Sequence, residues 1–407
     1  MFSQYKGLRK ELYVLAFGRT VTSLGSMIWP MLTLILSQKM NMSAENVADF
    51  LLLFSIVSIP FSLIGGRITD KFNKKYMIII CDFISVLCFL ICGFIPLSIK
   101  SIILFGVASL FQNIEHPAYE ALVADFTSPK DRERAYSLCY WGINLGLVLS
   151  PTIGGLLFND YLNIAFIING IAILCSTIMI ALLIKNINKE YDENDQNEYE
   201  KETNESTISF VLKNRVLLLY IVACVIAESV YLQWDYLLPL QLGDVFKENG
   251  PTLYGTLTST NCITVVVATA FLTKLLIKIK EIDKISLGRL LVIVGLAICA
   301  IFIKVVPMLY IGIVIFTIGE IICTVAVGSF VSKRVPANHR GRYSSIVTIC
   351  AGLSSFASKA VGAIYDKFGS NSAWMLVIGL GLILQLILLI IKQFDIKDYP
   401  KLYERKQ

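Results

Sequence analysis

Twelve stretches of this chain are each long and apolar enough to cross a lipid bilayer, and that limits the possible folds severely. A spanning helix needs about 20 mostly apolar residues. Segments near 12–36, 47–66, 76–97, 101–125, 135–158, 163–185, 215–240, 252–273, 285–304, 308–331, 343–365 and 372–392 reach that length. Within hydrocarbon only helices and closed barrels satisfy their own backbone, so an all-α integral membrane protein is expected. Of the 407 residues 56% are hydrophobic and 16% charged, whereas a soluble domain carries about 25% charged residues. This excludes a disordered chain, a secreted disulfide scaffold and an ordinary cytosolic enzyme. The ten cysteines lie in apolar stretches with no C-x-x-C pair, so neither zinc nor a disulfide framework is expected. The first apolar segment is too long for a cleavable signal and is expected to stay as helix 1.

The helices divide six and six around one long gap, 186–214, with eight acids against three lysines. The expected organisation is an N-terminal six-helix bundle over 1–185, an acidic linker over 186–214 and a C-terminal bundle over 215–407. The end of the linker, Ile208–Leu212, is expected to lie on the membrane surface. With the N-terminus inside, cytoplasmic segments hold 29 of the 36 Lys and Arg and external loops hold five. Lys and Arg concentrate on the cytoplasmic side of membrane proteins, so both termini are expected there, in the cell membrane. The halves also resemble repeats: at an offset of 207, Pro129, Tyr136, Ser137 and Gly155 match Pro336, Tyr343, Ser344 and Gly362. Repeated six-helix halves are a feature of secondary transporters.

Three groups of residues point to mechanism. The loop between helices 2 and 3 reads Gly66, Asp70, Lys71, Asn73, Lys74, Lys75. An acid here lies near the cytoplasmic N-terminus of helix 11, where the helix dipole favours it. Helix 5 has a small-residue stripe, Gly142, Gly146, Ser150 and Gly154, together with Pro151 and Gly155. Such stripes let helix backbones pack closely. Charges inside the bilayer are costly and usually functional. Glu115, Glu228 and Glu320 fall near mid-membrane on helices 4, 7 and 10, and Arg19 is shallower on helix 1. An ion pair between helices 1 and 4 is the structural alternative for Arg19 and Glu115. For Glu228 and Glu320 it is a hydrogen-bonded acid buried in packing. His116, beside Glu115, could share a proton or pack neutral.

The 2–3 loop resembles the signature of the major facilitator superfamily, with Asn73 in place of the usual Gly. Asn tolerates a left-handed backbone next best after Gly, so that conformation is expected at Asn73. The resemblance implies twelve helices in two six-helix bundles around a midplane cavity lined by helices 1, 4, 7 and 10. It also implies that Gly66, Asp70, Lys71, Lys74 and Lys75 form a conformational latch. The helix 5 stripe is similar to the antiporter signature of exporters. The segments Gln233–Pro239 and Thr317–Ile322 resemble helices 7 and 10 of proton-coupled multidrug exporters of the LmrP type. From that likeness Glu320 takes a proton-coupling and cation-binding role and Asp235 a lesser one, while Asp125 matches a further acid of the latch region. Helix 4 lacks the Arg common in such antiporters, and Cys139 stands where an acid can occur.

No P-loop, H-E-x-x-H or G-x-S-x-G motif is present. The expected energy source is therefore an ion gradient or the substrate gradient itself, with no cofactor and no enzymatic activity. The expected function is export of amphiphilic or cationic small molecules in exchange for protons, by a monomer working in the bilayer without nucleic acid. Proton-symport uptake of a nutrient, or a receptor built on the same fold, are the alternatives.

Overall fold

The computed structural model describes residues 5–127, 132–184, 206–276, 278–335 and 352–403, together with 343, 346, 347, 349 and 350. Among these residues twelve long helical rods follow one another and no strand occurs. α1 runs Lys10–Gly25 and resumes at Ile28–Leu34 with a π turn, Ile35–Lys39. α2 is Ala44–Lys71, α3 Lys74–Phe94 and α4 Ile99–Asp125. α5 has two pieces, Arg132–Leu147 and Ser150–Leu157, and α6 is Leu162–Leu183. α7 runs Arg215–Tyr231 and continues through a 3-10 turn into Leu237–Phe246. α8 is Gly250–Leu275, α9 Glu281–Ile301 and α10 Val306–Ser332. α11 is Ser355–Phe368 and α12 Ser370–Asp398. The end of the acidic linker is a short helix, Thr207–Lys213, whose first turn is capped by Ser206. Phe94, Leu182 and Met375 point outward at 80%, 78% and 74% exposure, as lipid-facing side chains do.

The chain folds into two compact units. One comprises Met1–Met42, Leu53–Asp195 and Leu242–Val266, and the other Ser43–Leu52, Gln196–Gln241 and Val267–Gln407. Each unit thus borrows a stretch from the opposite half of the sequence. The reason is visible in the glycines. A Cβ at Gly155 of α5 would sit 2.5 Å from the Pro251 carbonyl oxygen of α8, within the first unit. A Cβ at Gly362 of α11 would sit 2.9 Å from the Ala44 carbonyl oxygen of α2, within the second. Gly155 and Gly362 are the pair matched at offset 207, so the two repeats use equivalent glycines for equivalent crossings.

The α2–α11 crossing is further tied by Asp366, whose carboxylate accepts from the backbone N–H of Ala44 at 3.1 Å and of Glu45 at 2.9 Å. Those N–H groups have no partner within a helix, so the carboxylate caps α2. Tyr236 donates to the Ala44 carbonyl, and Lys359 pairs with Asp49 at 2.8 Å.

Near the end of α12, Arg334 makes a bidentate pair with Asp395 at 2.6 and 2.5 Å, and both side chains are almost wholly buried. Arg215 pairs likewise with Asp398, Lys280 donates to the Leu402 carbonyl and Tyr403 donates to Asp395. Burial and the adjacent carboxylate push the Tyr403 phenol well above its ordinary range.

Candidate functional site

The first unit holds a cavity of about 460 Å³ lined by α1, α2, α3, α4, α5 and α6, with Thr258 of α8. Its charged end holds Arg19, Glu115 and Asp82. Arg19 Nη2 lies 3.9 Å from Glu115 Oε1, and its guanidinium stacks 3.5 Å above the Tyr119 ring. Tyr119 in turn donates to the Leu15 carbonyl, which fixes the ring. Asp82 is 8% exposed and accepts from the Thr177 hydroxyl at 2.6 Å. Two carboxylates against one guanidinium leave one net negative charge when all three are ionised. A buried charge needs a partner, so this end of the cavity suits a proton or a single monovalent cation.

The other end is aromatic. Trp29 packs with Phe54 at 5.7 Å and stacks on Phe105 at 6.1 Å, and Phe89 meets Phe105 edge-on at 6.0 Å. Phe105 precedes Glu115 by ten residues on α4, so the two ends lie roughly 15 Å apart. Aromatic faces attract cations and cover apolar bodies alike. The small residues of α5 allow this arrangement. Cβ atoms at Gly142 and Gly154 would come within 2.6 Å of Ala16 O and 2.9 Å of Met27 O on α1. The stripe therefore packs α5 against α1, while Gly155 turns away to α8. Ser150 is fully buried, its hydroxyl oxygen unpartnered, at the start of the second piece of α5.

The expected site residues are divided between the two units. Arg19, Glu115 and His116 line the cavity, and the ion pair between helices 1 and 4 is present. Glu228 and Glu320 belong to the second unit. There Tyr231 donates to Glu320 Oε1 at 2.9 Å, and the Tyr231 and Trp234 rings both stack on Phe316. Glu228 lies in the electrostatic field of Arg289 and Glu320. Gly319, the residue before Glu320, is a packing residue: its Cβ would come within 2.8 Å of Val292 N. Asp235 is exposed at the end of the 3-10 turn of α7.

One reading of the 2–3 loop is corrected. Asn73 is extended, with φ −65° and ψ 117°, and not left-handed. Its side chain accepts from the N–H groups of Lys75 and Tyr76 and so caps α3, a use that competes with turn formation. Lys74 and Lys75 are engaged within the first unit: Lys74 pairs with Asp125, and Lys75 donates to the Ala181 and Ile184 carbonyls at the end of α6. Cations belong at helix C-termini, where carbonyls lack partners. The side chains of Gly66, Asp70 and Lys71 lie outside the described residues.

Two functional candidates are not apparent from the sequence. Asp82 sits six residues into the third apolar segment without a base on that segment, which is the available signal. Arg289 counts by sequence among the cytoplasmic basic residues, but α9 begins at Glu281, two turns before it. Arg289 therefore lies within α9 and leaves the expected cytoplasmic loop count.

Residues 15–359 match the Major Facilitator Superfamily. The chain belongs to that superfamily. It is a multi-span membrane transporter and binds a small molecule within the bilayer. It is 23% identical over 364 residues to a "Na(+), Li(+), K(+)/H(+) antiporter" of Planococcus maritimus, covering 79% of this chain and 81% of that one. Over 191 residues it is 27% identical to multidrug resistance protein 2 of Bacillus subtilis, 46% of each chain. In structure it is similar to a peptide-bound POT family transporter, with a TM-score of 0.79 at 13% identity over 98% of both chains. That likeness shows the fold alone.

Proposed function

We propose that this superfamily member exports amphiphilic organic monocations in exchange for protons. The observation that carries the reading is the cavity of the first unit, where a net negative end faces an aromatic end. A cationic head would sit between Asp82 and Glu115, and its apolar body against Trp29, Phe54 and Phe105. The helix 5 stripe and the multidrug relatives support export over uptake. Exchange of one proton for an inorganic monovalent cation is the second reading, favoured by the antiporter relative. An aromatic wall contributes nothing to a small hydrated ion.

Glu320 is the proposed proton carrier. It sits mid-helix on α10 in the second unit, and its Tyr231 hydrogen bond can be kept by either protonation state. The proton leaves Glu320 to the cytoplasm as the cation is taken up there, the loaded form turns outward, and an external proton reloads the acid. One proton for one monocation moves no net charge. The membrane potential then drives nothing, and a difference of one pH unit supports a tenfold substrate gradient, about 1.4 kcal/mol.

Proteoliposomes with an acidic lumen test both readings, with ethidium or sodium supplied outside. Ethidium should accumulate inside, nigericin should abolish the accumulation, and a potential imposed with valinomycin should leave it unchanged. Glu320→Gln should lower this proton-driven flux at least tenfold while ethidium binding persists. Sodium uptake without ethidium uptake would select the second reading, and wild-type flux in Glu320→Gln would remove that residue from coupling.

A further inference from the structure

Asn169 of α6 is 5% exposed, lines the cavity, and leaves its Oδ1 without a hydrogen-bond partner. Buried amide oxygens almost always find a donor, so each exception asks for an explanation. Among the described residues no donor bonds to this oxygen. The nearby Ser26 hydroxyl is used on the Thr22 carbonyl at 3.1 Å. The Gly25 backbone presses close, since a Cβ there would lie 3.3 Å from Asn169 Cα. Phe166, three residues before Asn169, meets Phe105 edge-on at 6.5 Å and supplies only ring carbons. At the charged end, Arg19 Nη2 is likewise buried and makes no hydrogen bond.

We infer that Asn169 is a second recognition point, which reads a hydrogen-bond donor on the same molecule whose cation meets Asp82 and Glu115. The spacing follows from α6. Thr177 holds the Asp82 carboxylate, and Asn169 lies eight residues earlier on that helix, roughly 12 Å along its axis. The substrate class narrows accordingly to elongated amphiphilic amines that bear an N–H or O–H roughly 12 Å from the charged nitrogen. Phe89 and Phe105 line the cavity at its aromatic end, and Ser23, Ser109, Gln112 and Asn113 line it as well, so the linking body is amphiphilic. A donor-free cation of equal length keeps the ionic contact and leaves the Asn169 oxygen unpaired. Sites built to pair a substrate O–H or N–H discriminate against analogues that lack it for this reason.

The inference rests on the cation site proposed above, and a matched pair of probes separates the two. 8-Amino-1-octanol and n-nonylamine carry the same ammonium and the same number of heavy atoms, and differ in a terminal hydroxyl against a methyl. Calorimetric titration of the purified full chain gives their ratio of affinities. Asn169→Leu should shift that ratio about fivefold toward nonylamine, the value of one net hydrogen bond. Asn169→Asp keeps an acceptor and should hold the ratio near or above that of the parent chain. Asn169→Ala replaces the leucine variant if the latter does not fold. Asp82→Asn should weaken both amines alike. If both amines bind and depend on Asp82, but the ratio moves less than twofold in the Leu or Ala variant, Asn169 reads no donor and only this inference falls. If neither amine binds the parent chain, the cation site and the inference fall together.

Discussion

Two arginine–carboxylate pairs sit at low exposure in this protein, and they are held in opposite ways. Arg334 and Asp395, where α10 and α12 end, form two short parallel hydrogen bonds; Asp395 also accepts from Tyr403, and Arg334 also donates to the Phe330 carbonyl. Arg19 and Glu115, in the cavity, approach only to 3.9 Å and leave a guanidinium nitrogen unpaired. A second carboxylate, Asp82, lines the same space. The first pair is complete inside the protein and has nothing left to offer a ligand. The second is short of partners and carries surplus negative charge. Completeness, and not burial alone, separates a structural ion pair from a site.

That contrast can be broken by mutation. The largest effect belongs to Asp395→Asn, which strands a buried guanidinium. Removing one member of a buried pair costs about 3–5 kcal/mol. Thermal unfolding of the purified protein should show a marked loss, with ethidium binding preserved in whatever fraction stays folded. Near-native stability would mean that water replaces Asp395 and that the pair is not structural.

Glu115→Gln should do the reverse. The loose Arg19 contact contributes little to folding, so stability should change by less than about 1 kcal/mol, in the range of weak ion pairs. Affinity for a monocation should drop about tenfold, because the cavity then has no surplus charge. A variant that unfolds yet binds normally when folded would place Glu115 with Asp395 as a structural residue.

The smallest expected effect sharpens the comparison at a capping carboxylate. Asp366→Asn leaves an acceptor near the first turn of α2 but removes its charge, and loss of that cap is worth about 1 kcal/mol. Cysteines introduced at Glu45 and Lys367 should report it, through a higher rate of labelling by a membrane-impermeant thiol reagent than with Asp366 intact. An unchanged rate would show that the glycine crossing at Gly362 holds α2 and α11 together without the carboxylate.

The sequence alone determined the number of spans, their order, the breaks between them and the repeat that pairs Gly155 with Gly362. Length and hydropathy suffice for this, because a bilayer demands about 20 apolar residues per crossing. The small-residue stripe of α5 was also legible as a packing face, since only close backbone approach needs it. Which charged residues share a space was not legible. Asp82 joins Arg19 and Glu115, Arg289 lies inside α9, Asp366 caps α2 and Asn169 stands unpaired, and none of this follows from spacing. In a soluble helix the polar face is turned to water, so the rotation can be read from the pattern. In a membrane both the lipid and the packed interior are apolar, and the hydrophobic pattern no longer says which side faces which. The rotation of each helix is decided by its neighbours, and only the tertiary structure shows it.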